Sequence, residues 1–284
     1  MKTLPSGWAR KAWACQVGLD NTRRELILFT DADTNYFNKN ALLNSVVEMK
    51  TNSNKVVTGV PLLELNDFYS KMVMPLLNLF IDCFEGFSKS YENKIIGSFF
   101  LVKREVLISL NGFNKVKNSF QEDSDIGAEI KKLDIKINRI KLSDMVSAVW
   151  SRDYDTLKNG IKRIVAYDCQ KKEKGFLSAC FLLFTSVLIP YILAIYNAIT
   201  FSINGNQMYY SFIIWNTILC MIPIFGYLIV NKLKHRSQSL YCLLVFPASC
   251  FLLFSLISSE SNLVMKNTSK KEIVWKGVKY AVAK

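Results

Sequence analysis

The sequence predicts an α/β domain followed by an all-α membrane region, and three observations carry that division. The run Leu26-Ile-Leu-Phe-Thr30 passes straight into two carboxylates one residue apart, Asp31 and Asp33. Three long stretches without a charge, Phe176–Phe201, Tyr209–Val230 and Ser239–Ser259, follow in the second half. All acidic residues except Glu260 and Glu272 precede Phe176, while basic residues gather at Arg152–Lys174, Lys232–Arg236 and Lys266–Lys284.

The first observation places a strand. A continuous apolar run reads as a strand covered on both faces, and ligands bind at the C-terminal ends of strands in open α/β sheets. Alternate residues of an extended strand point the same way, so Asp31 and Asp33 can face one ion. Oxygen-only ligands suit Mg²⁺ or Mn²⁺ held beside a diphosphate. A polar turn after a strand is the plainer alternative.

Composition sets outer limits. At 284 residues the chain has room for one soluble domain and a second unit. Half of its residues are hydrophobic and the mean hydropathy is +0.17, high for a wholly soluble protein. Each apolar stretch approaches or exceeds the roughly 20 residues that cross a bilayer core. Pro190, Pro223 and Pro247 lie inside them, which membrane helices tolerate. The net charge of +13 flanks these stretches and no nucleic-acid motif accompanies it. Membrane lipids rather than nucleic acid are therefore the expected partner. The seven cysteines form no C-x-x-C pair and read as reduced, small hydrophobes. A single histidine, His235, argues against His-based zinc sites and histidine general bases.

Taken in order, Met1 to Asn21 carries no apolar h-region after Lys2, Arg10 and Lys11, so it lacks the signal-peptide pattern. Gly7-Trp8-Ala-Arg-Lys11 leads into a short helix stopped near Gly18. Lys11 can neutralise a phosphate and Trp8 can cover a ring or sugar; a solvated lysine and a packing tryptophan are the alternatives. Asn38 caps a helix through about Thr51, and Lys55–Val60 is a strand closed by Pro61. Phe68–Phe87 is rich in Phe, Met and Leu but interrupted by Lys71, Asp82 and Glu85. It reads equally as a core helix or as an amphipathic helix at the lipid interface.

Gly97 opens a strand ending at Arg104, and a helix then stops at Asn111-Gly112-Phe113, where Gly112 suits a left-handed terminus. Glu122, Asp123 and Asp125 cluster at the head of the next helix, where backbone N–H groups stabilise negative charge. That serves as a cap, or as the seat of a base for an alcohol acceptor. Ile135–Leu142 and Met145–Trp150 complete the sheet. Arg152–Lys174 has Tyr154, Leu157, Ile161, Ile164 and Val165 on one helical face and basic residues on the other, as a membrane-surface helix would.

The ordered set Gly7-Trp8-x-x-Lys11, Asp31-Ala-Asp33-Thr34, Gly97 before a strand, Asn111-Gly112-Phe113 and Glu122-Asp123 resembles the inverting family 2 glycosyltransferases. The resemblance covers roughly Leu4 to Gln170. It is nearest to membrane members that glycosylate lipids, such as carotenoid and hydroxychlorobactene glucosyltransferases, whose tail motif is similar to Trp275-Lys276-Gly277-Val-Lys-Tyr280. The resemblance implies a partial GT-A domain over residues 1–151 and a basic interfacial helix over 152–175. About three membrane helices over 176–259 and a basic tail over 260–284 follow. It implies a nucleotide-sugar donor, UDP-glucose first, and a hydroxylated lipid, isoprenoid or polyprenyl-phosphate acceptor. Asp31 and Asp33 then hold Mg²⁺ or Mn²⁺ and the diphosphate. Lys11, Trp8 and Gly97 line the donor, and Asp123, with Glu122 as second choice, is the catalytic base.

The chain also departs from that family. Arg10 stands where a glycine usually precedes the lysine, and the Gln-x-x-Arg-Trp acceptor motif is absent. The strands that hold the nucleotide base should precede Gly7, so the expectation is a truncated gene model, a fragment, or a chain that cannot bind its donor unaided. A degenerate, non-enzymatic membrane protein is one rival. A transporter is the other, though its spans would carry the ionisable groups that these three lack.

Charge contrast predicts orientation. The loop Ser202–Met208 is uncharged while Asn231–Gln238 holds Lys232, Lys234 and Arg236. The second loop is therefore cytoplasmic, and with it the α/β domain of an integral membrane protein. Three spans put Glu260–Lys284 outside, in conflict with its six lysines. A re-entrant stretch around Pro190 is one resolution.

Overall fold

The computed structural model describes residues 3–51, 53–87, 94–119, 121–171, 175–233, 246–268, 272–275 and 278–281. The residues 239–245 of the third apolar stretch, 234–238 of the basic loop and Lys276–Gly277 of the tail motif lie outside them. In chain order the elements are α1 (Arg10–Asn21), β1 (Leu26–Phe29), β2 (Thr34–Tyr36), α2 (Asn40–Thr51), β3 (Val56–Val60), β4 (Leu62–Glu64) and α3 (Phe68–Phe87). Next come β5 (Phe100–Lys103), α4 (Arg104–Ser109), α5 (Glu122–Lys131), β6 (Ile137–Lys141) and β7 (Val146–Val149). The remainder is α6 (Tyr154–Lys171), α7 (Gly175–Asn204), α8 (Gln207–Leu233), α9 (Phe246–Thr268), β8 (Glu272–Trp275) and β9 (Val278–Ala281). The first half is a mixed α/β domain, as expected.

Its main sheet has the order β1-β5-β3-β6, with only β3 and β6 parallel. Strand alternation explains its two covered faces. Ile27, Val56, Phe100 and Val102 face Leu19 of α1 and Ile126 and Ile130 of α5. Val57, Phe99 and Leu101 face Ala41 and Met49 of α2. The apolar run of β1 is thus packed on both sides, but β1 sits at the sheet edge and pairs antiparallel with β5. A smaller sheet, β2-β7-β4, adjoins it.

Two readings of single elements change, and the expected left-handed stop at Gly112 holds. The strand at Leu26 ends at Phe29, and Thr34 N–H donates to Asp31 C=O (3.2 Å) across a turn. Asp31 and Asp33 therefore stand on a turn between β1 and β2 and not on alternate positions of one strand. The first helix runs through Gly18 to Asn21, because a lone glycine costs a helix only about 1 kcal/mol. The helix before Asn111-Gly112 ends in two left-handed residues, Asn111 (φ 60°) and Gly112 (φ 63°).

A third cluster lies beyond the sheets. Met72, Val73, Leu76 and Leu77 of α3 meet Leu157, Ile161 and Val165 of α6 and Phe246, Cys250, Leu253, Leu256 and Ile257 of α9. Over its described side chains α3 is thus a core helix, the first of the two alternatives. Leu157, Ile161 and Val165 of the α6 stripe are likewise covered by protein, while Tyr154 at its start is exposed. Helices α7 and α8 are long and apolar enough to cross a membrane by length and composition, over Phe184–Asn204 and Gln207–Gly226. Pro190 lies inside an unbroken α7.

Gly59 shows how tightly β3 and β6 pack. A Cβ there would meet the Ile140 carbonyl oxygen at 2.5 Å and Leu142 Cδ1 at 2.6 Å. The first contact is backbone in a parallel ladder and cannot swing away. Gly59→Ala should cost about 1–3 kcal/mol of stability, seen as a lower Tm in detergent-solubilised protein. An unchanged Tm would show that the ladder yields there.

Candidate functional site

Four segments far apart in sequence deliver side chains to one place. Helix α1 brings Lys11, the β1–β2 turn brings Asp31, the turn before β5 brings Gly97, and the first turn of α5 brings Glu122 and Asp123. Lys11 Nζ lies 2.7 Å from Asp31 Oδ1 and 2.9 Å from Glu122 Oε1. Asp123 accepts from Gly97 N–H through Oδ2 (2.9 Å) and from Ser124 N–H through Oδ1 (2.8 Å). Both carboxylate oxygens are thereby oriented by backbone.

Gly97 is required by space. A Cβ on it would sit 2.6 Å from Asp123 Oδ2 and 2.8 Å from Lys11 Nζ. Both are ends of side chains, so a substitution would push the functional groups aside before it disturbed the fold.

Local tethers hold the four segments together. Gln16, one turn beyond Lys11 on α1, accepts from Phe113 N–H through Oε1 (2.7 Å). The Asn111-Gly112-Phe113 turn thus sets the position of α1. Thr30, at the end of β1, donates to the Ser98 carbonyl (3.0 Å), and Tyr36 OH donates to Thr30 Oγ1 (3.0 Å). On α5, Asp125 accepts from Tyr167 OH of α6 (3.0 Å). Gln16, Thr30 and Tyr167 have no motif of their own; Gln16 and Thr30 lie near Lys11 and Asp31 in sequence, while nothing in the sequence points to Tyr167 as a partner of Asp125.

The electrostatics follow from burial. Glu122 is 8% exposed, and burial, then the neighbouring Asp123 carboxylate, push its pKa up while Lys11 pulls it down. Burial alone would lower the Lys11 ammonium, but Glu122, Asp123 and Asp31 together outweigh it and raise its pKa well above the ordinary lysine value. Lys11 is a permanent cation among three acids. Cys15, one helical turn from Lys11, has its thiol pushed up to about 12 by burial and by Glu122.

Trp8 and Asp33 stand apart from this cluster. Trp8 packs edge-to-face on Trp13, with ring centroids 5.2 Å apart, and fills space between two core clusters. That contact accounts for its packing, and Trp8 stays partly accessible. Asp33 is exposed on the turn. Among the described residues no three His, Cys, Asp or Glu side chains converge as a metal cage. Asp31 and Asp33 are nonetheless hard oxygen donors on one short turn. That donor set fits Mg²⁺ or Mn²⁺ when diphosphate oxygens and water complete the shell.

No protein-family model matches the chain, and no curated protein matches it. Among solved structures that match is the mannosyltransferase PcManGT from Pyrobaculum calidifontis in complex with GDP-Man and Mn2+. It is 18% identical over 86% of this chain, which spans 66% of that protein's length, with a TM-score of 0.41. A likeness of that degree does not fix a substrate.

The raised Cys15 pKa has a direct consequence, since the thiolate is the reactive form. At pH 8 a thiol pushed from 9.0 to about 12 holds on the order of a thousandfold less thiolate. Cys15 should therefore resist iodoacetamide in the folded protein and react once it is unfolded, as read by peptide mass spectrometry. Rapid alkylation of folded protein at pH 8 would contradict its burial beside Glu122.

Proposed function

We propose that this chain is a glycosyltransferase of GT-A type that moves a sugar from a nucleotide-sugar donor to a hydroxyl of a membrane lipid, with inversion. The observation that carries the reading is the convergence of Lys11, Asp31, Gly97, Glu122 and Asp123. A fixed cation, a metal-competent acid and a backbone-oriented carboxylate are what such a transfer needs in one place.

Asp123 receives the proton of the acceptor hydroxyl. The freed oxygen attacks the anomeric carbon from the face opposite the diphosphate, which leaves as nucleoside diphosphate. The glycosidic bond forms as the sugar–phosphate bond breaks, so configuration inverts. Asp31 and Asp33 would hold the divalent ion, which when bound neutralises charge on the departing diphosphate. Lys11 supplies a further positive charge next to Asp31. Glu122, whose burial favours its neutral form, serves as a neighbour that positions Lys11. UDP-glucose is the first donor to test, on the resemblance in the sequence.

A lipid acceptor is supported by how α5 is mounted. The first turn that holds Asp123 also holds Asp125, which is bonded to Tyr167 of α6. Helix α6 packs against α9, and α9 stacks Phe254 on Phe184 of α7 (ring centroids 3.9 Å apart). Two intervening helices thus link the carboxylate to the apolar hairpin of α7 and α8.

Asp123→Asn should bind donor yet lower kcat by about 10²–10⁴-fold; near-normal turnover would remove Asp123 from the role of base. Gly97→Ala should lower kcat while leaving Tm close to that of the parent, because its added methyl meets only side-chain ends. A matching loss of Tm would instead make Gly97 structural. Membranes bearing the protein, given labelled UDP-glucose or GDP-mannose with Mg²⁺ or Mn²⁺, should put label into the organic phase and lose that transfer on chelation. Label confined to soluble product would refute the lipid acceptor.

A further inference from the structure

The charge pattern of the sequence and a count of three spans disagree about the side on which the C-terminal tail lies. The packing of α9 removes the disagreement. Phe246, Cys250, Leu253, Leu256 and Ile257 bury one face of α9 against α3 and α6. Near its C-terminal end Glu260 is 1% exposed, and its carboxylate Oε1 lies 3.7 Å from Lys158 Nζ of α6. Helix α6 carries six charged residues, Asp155, Lys158, Lys162, Arg163, Asp168 and Lys171, in eighteen. To enter hydrocarbon, the face of α9 from Phe246 to Glu260 would have to leave this neighbour or carry its charges along, and there each charge costs about 2.5 kcal/mol or more.

Helices α7 and α8 are the opposite case. Ile192, Ile195, Ile199, Ile203, Trp215 and Ile222 are more than half exposed around both helices, and little of either candidate span is buried. Twenty-one and twenty residues make about 30 Å of helix, the thickness of a bilayer core. The turn between them is tight and uncharged. Gly205 (φ 63°) donates from N–H to the Phe201 carbonyl (2.8 Å), and Tyr209 and Tyr210 follow where an interfacial belt belongs. At the other end Phe184 stacks on Phe254 of α9, and Ile224 and Leu228 of α8 pack on the α3–α6–α9 cluster. That base is also where Lys232 begins the basic loop.

We infer that only two of the three apolar stretches cross the bilayer, as the α7–α8 hairpin, and that α9 is a strap returning along the α/β domain on the domain's own side. The occupant of the exposed hairpin surface is lipid, on the evidence of its length, its uncharged tip and its basic base. An even number of crossings leaves Asp31, Asp123, the basic loop and the lysine-rich tail on one face, and the positive-inside rule makes that face cytoplasmic. The stretch that fails to cross is the third, not the one around Pro190.

The inference rests on the membrane part of the proposed function and is independent of sugar transfer. A test uses the full chain with its seven native cysteines replaced and Asn206→Cys, His235→Cys or Asn267→Cys introduced singly. A membrane-impermeant maleimide should label the Asn206 variant on intact cells, and the His235 and Asn267 variants only after permeabilisation. A C-terminal epitope tag on the parent chain should follow the Asn267 variant, which guards against a misfolded substitution. Labelling of the Asn267 variant and exposure of the tag from outside, with the His235 variant protected, would mean three crossings and overturn the strap. Release of the protein by alkaline carbonate would instead overturn membrane insertion itself.

Discussion

Everything at the site depends on the Lys11 ammonium placed between Asp31 and Glu122. Glu122 is buried at the head of α5 beside Asp123, and two adjacent carboxylates there would repel without a nearby cation. Breaking a buried pair leaves an uncompensated charge, which costs more than the pair itself contributes. Lys11 is 39% exposed, so water shares that burden and the pair is weaker than a wholly buried one. The same contact brings the β1–β2 turn, with Asp31, against the head of α5, with Glu122 and Asp123. A glycine at 97 lets the three groups approach, because any side chain would occupy the space that Asp123 and Lys11 share.

The supports of that contact are mostly hydrogen bonds from residues outside it. Gln16 docks α1 on the turn at Phe113, Thr30 ties the end of β1 to Ser98, and Tyr167 ties α5 to α6. These bonds pin the turns at Phe113 and Ser98 to α1 and β1, and α5 to α6, which is how a charged cluster keeps its geometry. They also make the site mechanically continuous with α6, and through α6 with α9 and the base of the hairpin. The α/β domain is thereby held against the base of the hairpin.

The α3–α6–α9 cluster also accounts for sequence features that point two ways. Helices α3 and α6 each have an amphipathic stripe that would suit a membrane surface, and α9 is apolar enough to suggest a span. Each covers the others, so the stripes are satisfied by protein. Amphipathicity reports that a face must be buried; it does not say against what.

The sequence alone determined the elements and their chemistry. The strands within Lys55–Val60 and Gly97–Arg104, the helical spacing of Ala41, Ser45 and Met49, and the left-handed stop at Gly112 are local properties, written in neighbouring residues. The charge contrast between Ser202–Met208 and Asn231–Gln238 is likewise linear. Only the tertiary structure decided that β1 is an edge strand, that Asp31 and Asp33 share a turn, and that Lys11 bridges Asp31 to Glu122. The turn is local, and a polar turn is the plainer alternative in the sequence. The edge pairing and the two Lys11 contacts, however, join residues twenty to over a hundred positions apart, where no periodicity or spacing reaches. The same holds for α9, whose apolar sequence fits lipid and protein equally well. Its apolar face packs on α3 and α6, with Glu260 buried near Lys158 of α6, and those neighbours exist only once the chain has folded.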